Sequence, residues 1–184
     1  MSHELPPGVE RVLFTAEEIE RRVAELGAEI SERYRGKELK LIGILKGSVF
    51  FLTALARAIT IPVKVDFLAI SSFANPGSSG LVRIAKDLDD RIEGEDVMLV
   101  EDIIDTGFTV RYLLRNLAGR GPNSIALCTL LDRTSRRIVQ VPVDFRCFEI
   151  GDHFVIGYGL DHKQLYRNLD CIAVMNPEML KKST

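Results

Sequence analysis

Apolar positions along this chain follow two rhythms. Ile19, Val23, Leu26 and Ile30 recur every three or four residues, which puts them on one face of a helix. Just ahead, Thr15-Ala16-Glu17-Glu18 has the Thr-x-x-Glu spacing of a capping box, so the pattern predicts a helix over 15–34 that packs on a sheet. Val110, Leu113, Leu114 and Leu117 repeat the helical period until Gly119 and Gly121-Pro122 stop it. A further helix is expected from the turn Lys46-Gly47-Ser48 to about Ile59. By contrast, 39–45, 62–70, 81–86, 97–100, 124–131 and 171–175 are short, dominantly apolar runs and read as strands. Residues 143–150 and 154–158 read as a pair of short strands around a Gly151-Asp152 turn, and 178–184 as a tail. The small and polar residues of 71–80, with Gly and Pro among them, read as a loop.

Length and composition narrow the class. A chain of 184 residues favours one domain, 1–184, with enough length to bury a core. The formal net charge of −2 leaves no global basic field for nucleic acid. Arg133, Arg136 and Arg137 read as a solvated turn or a small anion site. Cys128, Cys147 and Cys171 have neither C-x-x-C nor zinc spacing, so reduced thiols and a cytoplasmic setting are expected. His3, His153 and His162 are scattered, which argues against a histidine metal site. No signal peptide is read at the N-terminus, and no apolar run approaches membrane-spanning length.

Candidate chemistry concentrates in 97–109. An apolar strand delivers two adjacent carboxylates, Glu101 and Asp102; Asp105 then opens the turn Thr106-Gly107-Phe108-Thr109, and a helix follows. Strand ends in an open parallel sheet are where ligands bind. The first turn of a helix leaves backbone N–H groups without partners, and a phosphate matches both these donors and the positive end of the helix dipole. A phosphate is therefore expected at 105–109, with Gly107 permitting close approach and Thr106 and Thr109 adding hydroxyls. Carboxylates beside a phosphate suit a sugar diol, a hard cation or a proton in transit. Taken singly, such carboxylates could be solvated loop residues or helix caps. The stretch is neither a Walker loop nor a Gly-x-Gly-x-x-Gly turn. Lys46-Gly47-Ser48, at another strand–helix turn, could hold an anion or be a plain connection.

Residues 100–109 resemble the signature by which type I phosphoribosyltransferases bind phosphoribosyl pyrophosphate (PRPP). The form Glu-Asp-Ile-Ile-Asp-Thr-Gly is similar to the 6-oxopurine branch, the hypoxanthine-guanine phosphoribosyltransferases. The similarity runs over roughly 10–176. It implies an α/β fold: a mostly parallel twisted sheet with helices on both faces, plus a small hood built from the N-terminus and the segment after 130.

The resemblance also implies a reaction and its parts. A 6-oxopurine would displace pyrophosphate from PRPP, giving IMP or GMP. Asp105 would accept the purine N7 proton as the catalytic base. Thr106, Gly107, Phe108 and Thr109 would hold the 5′-phosphate, and Glu101 and Asp102 the ribose hydroxyls. Lys46, Gly47 and Arg167 would meet pyrophosphate, with a non-proline cis peptide before the lysine. Arg133, where the family has lysine, would donate to the 6-oxo group; Phe154 would stack on the base and the Val155 backbone would read its edge. Mg²⁺ would be held by Glu101, Asp102 and Asp161. Ser72 and Phe73 would belong to a closing lid, with Phe73 where the family usually has tyrosine. A homodimer or homotetramer is expected, with no nucleic-acid or membrane partner. The rival readings are a non-enzymatic PRPP-sensing regulator, a phosphoribosyltransferase for another base, and a generic nucleotide-binding module.

Overall fold

The computed structural model describes residues 6–73 and 81–181. Six strands form the main sheet: β2 (Leu39–Leu45), β3 (Val63–Phe73), β4 (Leu81–Lys86), β5 (Asp96–Ile104), β6 (Ser124–Asp132) and β7 (Phe145–Glu149), in the order β4-β3-β2-β5-β6-β7. Every pairing is parallel except β3 with β4, which matches the expected fold class. The central strands are apolar on both faces because helices cover both. Leu39, Leu41, Met98 and Val100 pack with α1 (Ala16–Arg33) and α2 (Val49–Ala58) on one side. Ile42, Ile44, Val97 and Leu99 pack with Val110, Leu113 and Leu117 of α3 (Phe108–Ala118) on the other. The capping box of Thr15 and Glu18 forms as predicted.

A second sheet orders β1 (Val9–Phe14), β9 (Ile172–Met175) and β8 (Val155–Ile156), all antiparallel. It joins the N-terminal segment to the segment after 130, as expected of a hood. Four boundaries differ from the sequence reading. Strand β1 was not foreseen, since Val-Glu-Arg-Val-Leu-Phe has no clean alternation and its partner lies some 160 residues away. Residues 145–149 and 155–156 do not pair with each other; the first joins β6 and the second β9. Ser71, Ser72 and Phe73 continue β3 instead of opening a loop, because β4 pairs with them. Residues 177–181 form a short helix, α4, where a tail was read. The remainder of the expected lid, 74–80, and the side chains of Ser72 and Phe73 lie outside the described residues.

Strand order positions the site. From β2 the chain moves outward to β3 and β4, whereas from β5 it moves the other way to β6 and β7. The order therefore reverses between β2 and β5, the place where open α/β sheets bind ligands. Lys46-Gly47 follows β2 and Asp105-Thr106-Gly107 follows β5, so the two candidate anion turns flank this crevice.

Candidate active site

Parallel register brings the first candidate residues together. Gly43 lies opposite Val100, so the turn after β2 rises beside Glu101 and Asp102. These two are strand residues, since β5 runs on to Ile104 with Glu101 paired to Thr129 and Ile104 to Asp132. Successive strand side chains leave on opposite faces, so the two carboxylates diverge. Asp102 abuts Gly47 so closely that a Cβ on Gly47 would stand 1.6 Å from its Oδ2. A Cβ on Gly159 would in turn stand 2.1 Å from the Gly47 carbonyl oxygen, so the hood chain closes directly onto the anion turn. The Leu45–Lys46 peptide is cis, as expected. The exposed Lys46 ammonium lies 3.4 Å from Gln164 Oε1.

Glu101 is buried, and among the described residues its carboxylate has no hydrogen-bond or ion-pair partner. Burial first, and the neighbouring Asp102 second, push its pKa well above the carboxylate range. Burial also pushes Asp102 up to about 6; the Ile103 amide, which donates to Oδ1 at 2.8 Å, and the charge of Arg167 pull the other way. Asp161 adds like charge to Asp102. Asp161 itself pairs with Arg167 at 2.8 Å and accepts from the Gln164 amide at 2.8 Å.

The turn into α3 has the form the phosphate reading requires. Gly107 caps the helix at φ +89°, a conformation that favours glycine. A Cβ there would also stand 2.4 Å from the Val139 carbonyl oxygen. Among the described residues, the amides of Thr106, Gly107, Phe108 and Thr109 find no acceptor. Four donors thus converge at one helix start.

Asp105 stands at the junction with the hood. The register Ile104↔Asp132 sets Arg133 beside it, and the buried Arg133 donates from Nη1 to Asp105 Oδ2 at 3.2 Å. Arg133 Nη2 donates to the carbonyl of His153 at 2.5 Å, which ties the guanidinium to the segment carrying Phe154 and Val155. Among the described residues, Asp105 Oδ1 and Arg133 Nε are buried without partners. Phe154 is exposed and meets His162 edge to face at 5.6 Å, while Val155 is buried in β8.

Gly47, Glu101, Asp102, Asp105, Thr106, Gly107, Thr109, Asp161 and Arg167 line one cavity of about 310 Å³. Lys46, Phe108, Arg133, Phe154 and Val155 are not among its walls; Lys46 and Phe108 are exposed, and Arg133 reaches Asp105 from the hood side. Among the described residues, no three His, Cys, Asp or Glu side chains cluster tightly enough to hold a metal ion unaided. The donor set nonetheless fits magnesium shared with a ligand. Glu101, Asp102 and Asp161 offer only oxygen, and a bound phosphate and water would complete the shell.

Two contributors escaped the sequence reading. Arg137, read as part of a solvated turn, has a buried side chain that bonds to the carbonyls of Ile104 and Asp105. Gln164 accepts from both Lys46 and Arg167, at 3.4 and 3.3 Å. It sits in a stretch where Tyr158, Lys163, Gln164 and Tyr166 all have positive φ, a strain concentrated around Asp161 and Arg167, which line the cavity. Neither residue type nor spacing signals these roles.

A family model described as the phosphoribosyl transferase domain matches residues 12–163. The chain is 46% identical over 187 residues to a hypoxanthine-guanine phosphoribosyltransferase of Mycobacterium avium, covering 97% of this chain and 92% of that one. It is 48% identical over 165 residues to a hypoxanthine phosphoribosyltransferase of Salmonella typhimurium, with coverage of 88% and 93%. The crystal structure of a hypoxanthine phosphoribosyltransferase from Staphylococcus aureus matches the fold with a TM-score of 0.92 at 39% identity, covering 97% of this chain and 98% of that one.

Proposed function

The chain belongs to the phosphoribosyltransferase family, and we propose that it serves purine salvage: it transfers the 5-phosphoribosyl group from PRPP to hypoxanthine or guanine, giving IMP or GMP and pyrophosphate. The observation that carries this reading is one cavity lined by Thr106, Gly107 and Thr109, whose amides find no acceptor among the described residues, together with four carboxylates and Arg167. A phosphate matches the amides, and a sugar diol matches the carboxylates.

In this reading the amides of 106–109 anchor the 5′-phosphate and so fix the sugar's position. Glu101 and Asp102 accept hydrogen bonds from the ribose hydroxyls. Purine N9 bonds to the anomeric carbon as the carbon–oxygen bond to pyrophosphate breaks, and Asp105 takes the N7 proton. Lys46, the Gly47 amide and Arg167 meet the departing pyrophosphate. Glu101, Asp102 and Asp161 would hold magnesium, which when bound supplies positive charge against the leaving group.

Arg133 and Asp105 set a donor and an acceptor side by side. The 6-oxo and N7–H edge of hypoxanthine or guanine is their complement, whereas the 6-amino group of adenine brings donor to donor. Initial rates with hypoxanthine, guanine, xanthine and adenine, each with PRPP and Mg²⁺, test the function. Turnover of 6-oxopurines with release of pyrophosphate is expected; a preference for adenine, or no turnover of any base, would overturn it. Arg133→Ala is expected to raise KM for the purine about 10- to 100-fold, the worth of one charged hydrogen bond, and KM for PRPP far less. Equal effects on both substrates would remove Arg133 from the base site.

The protein is read as one domain that acts in the cytoplasm as a homodimer or homotetramer. Three free cysteines support the reducing compartment. Exposed apolar side chains at Phe50 and Val65 are compatible with burial between copies.

A further inference from the structure

The turn after β6 carries Arg137, a charged side chain that the mechanism above does not use. Its guanidinium is buried against Asp132, itself buried, and Asp132 also accepts from Arg146 at 3.0 Å. From that anchor Arg137 Nε donates to the carbonyl of Asp105 at 2.9 Å, and Nη2 reaches the carbonyl of Ile104 at 3.4 Å. The amides of Ile138 and Val139 donate to the carbonyl of Thr106 at 3.0 and 2.9 Å. Three successive carbonyls, 104 to 106, are thus held by one short segment, 137–139. The same segment backs Gly107, whose added Cβ would stand 3.1 Å from Arg137 Cδ.

Peptide planarity converts this grip into an orientation. In a trans peptide the C=O of one residue and the N–H of the next lie in one plane and point in opposite directions. Holding the Asp105 carbonyl toward Arg137 therefore aims the Thr106 N–H away from it. Holding the Thr106 carbonyl toward 138–139 does the same for the Gly107 N–H. These are two of the donors that converge on the phosphate position.

We propose that Arg137, fixed by Asp132, is a positioning residue that aims the amides of the phosphate-gripping turn. This rests on the assignment of 106–109 to the 5′-phosphate. Arg137 itself touches neither phosphate nor base; it acts through the Ile104 and Asp105 carbonyls. A planar fork suits the task, because one side chain must meet a carboxylate and two carbonyls at once. Lysine, with a single compact head group, would keep the charge and the pairing with Asp132 but only part of the carbonyl grip.

Binding of IMP and of inosine separates aim from folding, because the two differ only in the phosphate. For Arg137→Met the affinity for IMP is expected to fall on the order of 10- to 100-fold, the scale of a misplacement near 1 Å. Affinity for inosine should change less than about threefold, within the scatter of context effects. Arg137→Lys should recover part of the loss. In steady state, KM for PRPP should rise more than KM for hypoxanthine. If Arg137→Met does not fold, Arg137→Lys and Asp132→Asn decide, each expected to lower the IMP-to-inosine affinity ratio. A variant that keeps the wild-type ratio, or loses both ligands equally, overturns the positioning role. If the wild-type protein itself binds inosine as tightly as IMP, the phosphate assignment of 106–109 fails first and takes this proposal with it.

Discussion

Replacing Asp105 by asparagine is expected to lower kcat by about 10²- to 10⁴-fold, the usual contribution of a general base, with the Kd for PRPP changed less than about threefold. Asparagine has nearly the same shape and can still accept from Arg133 through its amide oxygen. It cannot take a proton at neutral pH, so the substitution isolates proton transfer from packing. The geometry supports this division of labour. Arg133 engages Oδ2 of Asp105 at 3.2 Å, and the side chain is 38% exposed, so the carboxylate is held in place yet open to a ligand. Single-turnover rates in both directions provide the check, because a group that accepts the proton during synthesis must return it during pyrophosphorolysis. Full turnover by Asp105→Asn in either direction would end its role as the base.

Glu101→Gln is expected to act in opposite directions on stability and on activity. The Glu101 carboxylate is buried and has no partner among the described residues, so its charged form is held there at a cost. Removing the charge should stabilise the ligand-free, metal-free protein by on the order of 1–3 kcal/mol at pH 8, raising Tm by about 2–10 °C for a chain of this length. The sign follows from linkage. A carboxyl whose pKa is raised on folding binds more protons in the folded state, so the wild-type protein loses stability as pH rises through the raised value. Asp102 contributes in the same sense between its ordinary 3.8 and about 6. The advantage of the glutamine variant should therefore be largest at pH 8 and vanish below about 4.5, the ordinary value for Glu101. Activity should fall because the ribose hydroxyls lose a charged acceptor, with PRPP affinity reduced on the order of tenfold or more. Thermal melts from pH 4 to 8 and PRPP titrations measure the two effects. A variant less stable than wild type at pH 8 would mean that Glu101 has a stabilising partner in the free protein.

The two substitutions probe different layers of the same site. Asp105 is exposed enough to meet a base, and its task depends on Arg133 alongside. Glu101 lies deeper, on a strand whose pairing with β6 holds it in place. Stability stored against function is therefore expected at Glu101 and not at Asp105.

Much of this arrangement was legible in order along the chain. The helices over 15–34 and after 109 follow from apolar spacing, because a helix face is set by residues three and four apart. The turn into α3 was legible for the same reason: Asp105, Thr106, Gly107 and the helix start are neighbours in sequence, and the turn needs no distant partner to form. The strand β1 was not, because its six residues carry no period and become a strand only against β9. Nor was the separation of 145–149 from 155–156 into different sheets, which depends on where β6 and β9 lie. Arg137 is the sharpest case. Among Arg133, Arg136 and Arg137 one is half exposed and two are buried, and nothing in the run of charges tells them apart.

By itself, then, the sequence determined the local pieces: the alternation of strands and helices, the acidic strand end, and a glycine where the chain turns with positive φ into α3. The tertiary structure decided which pieces meet. Parallel register put Arg133 beside Asp105, strand order set Gly47 under Asp102, and the hood carried Gly159 onto Gly47. Side-chain period and helix capping act over a few residues of chain. Burial, and the partner a charge finds, are properties of the packed sheet, where residues far apart in sequence share one edge.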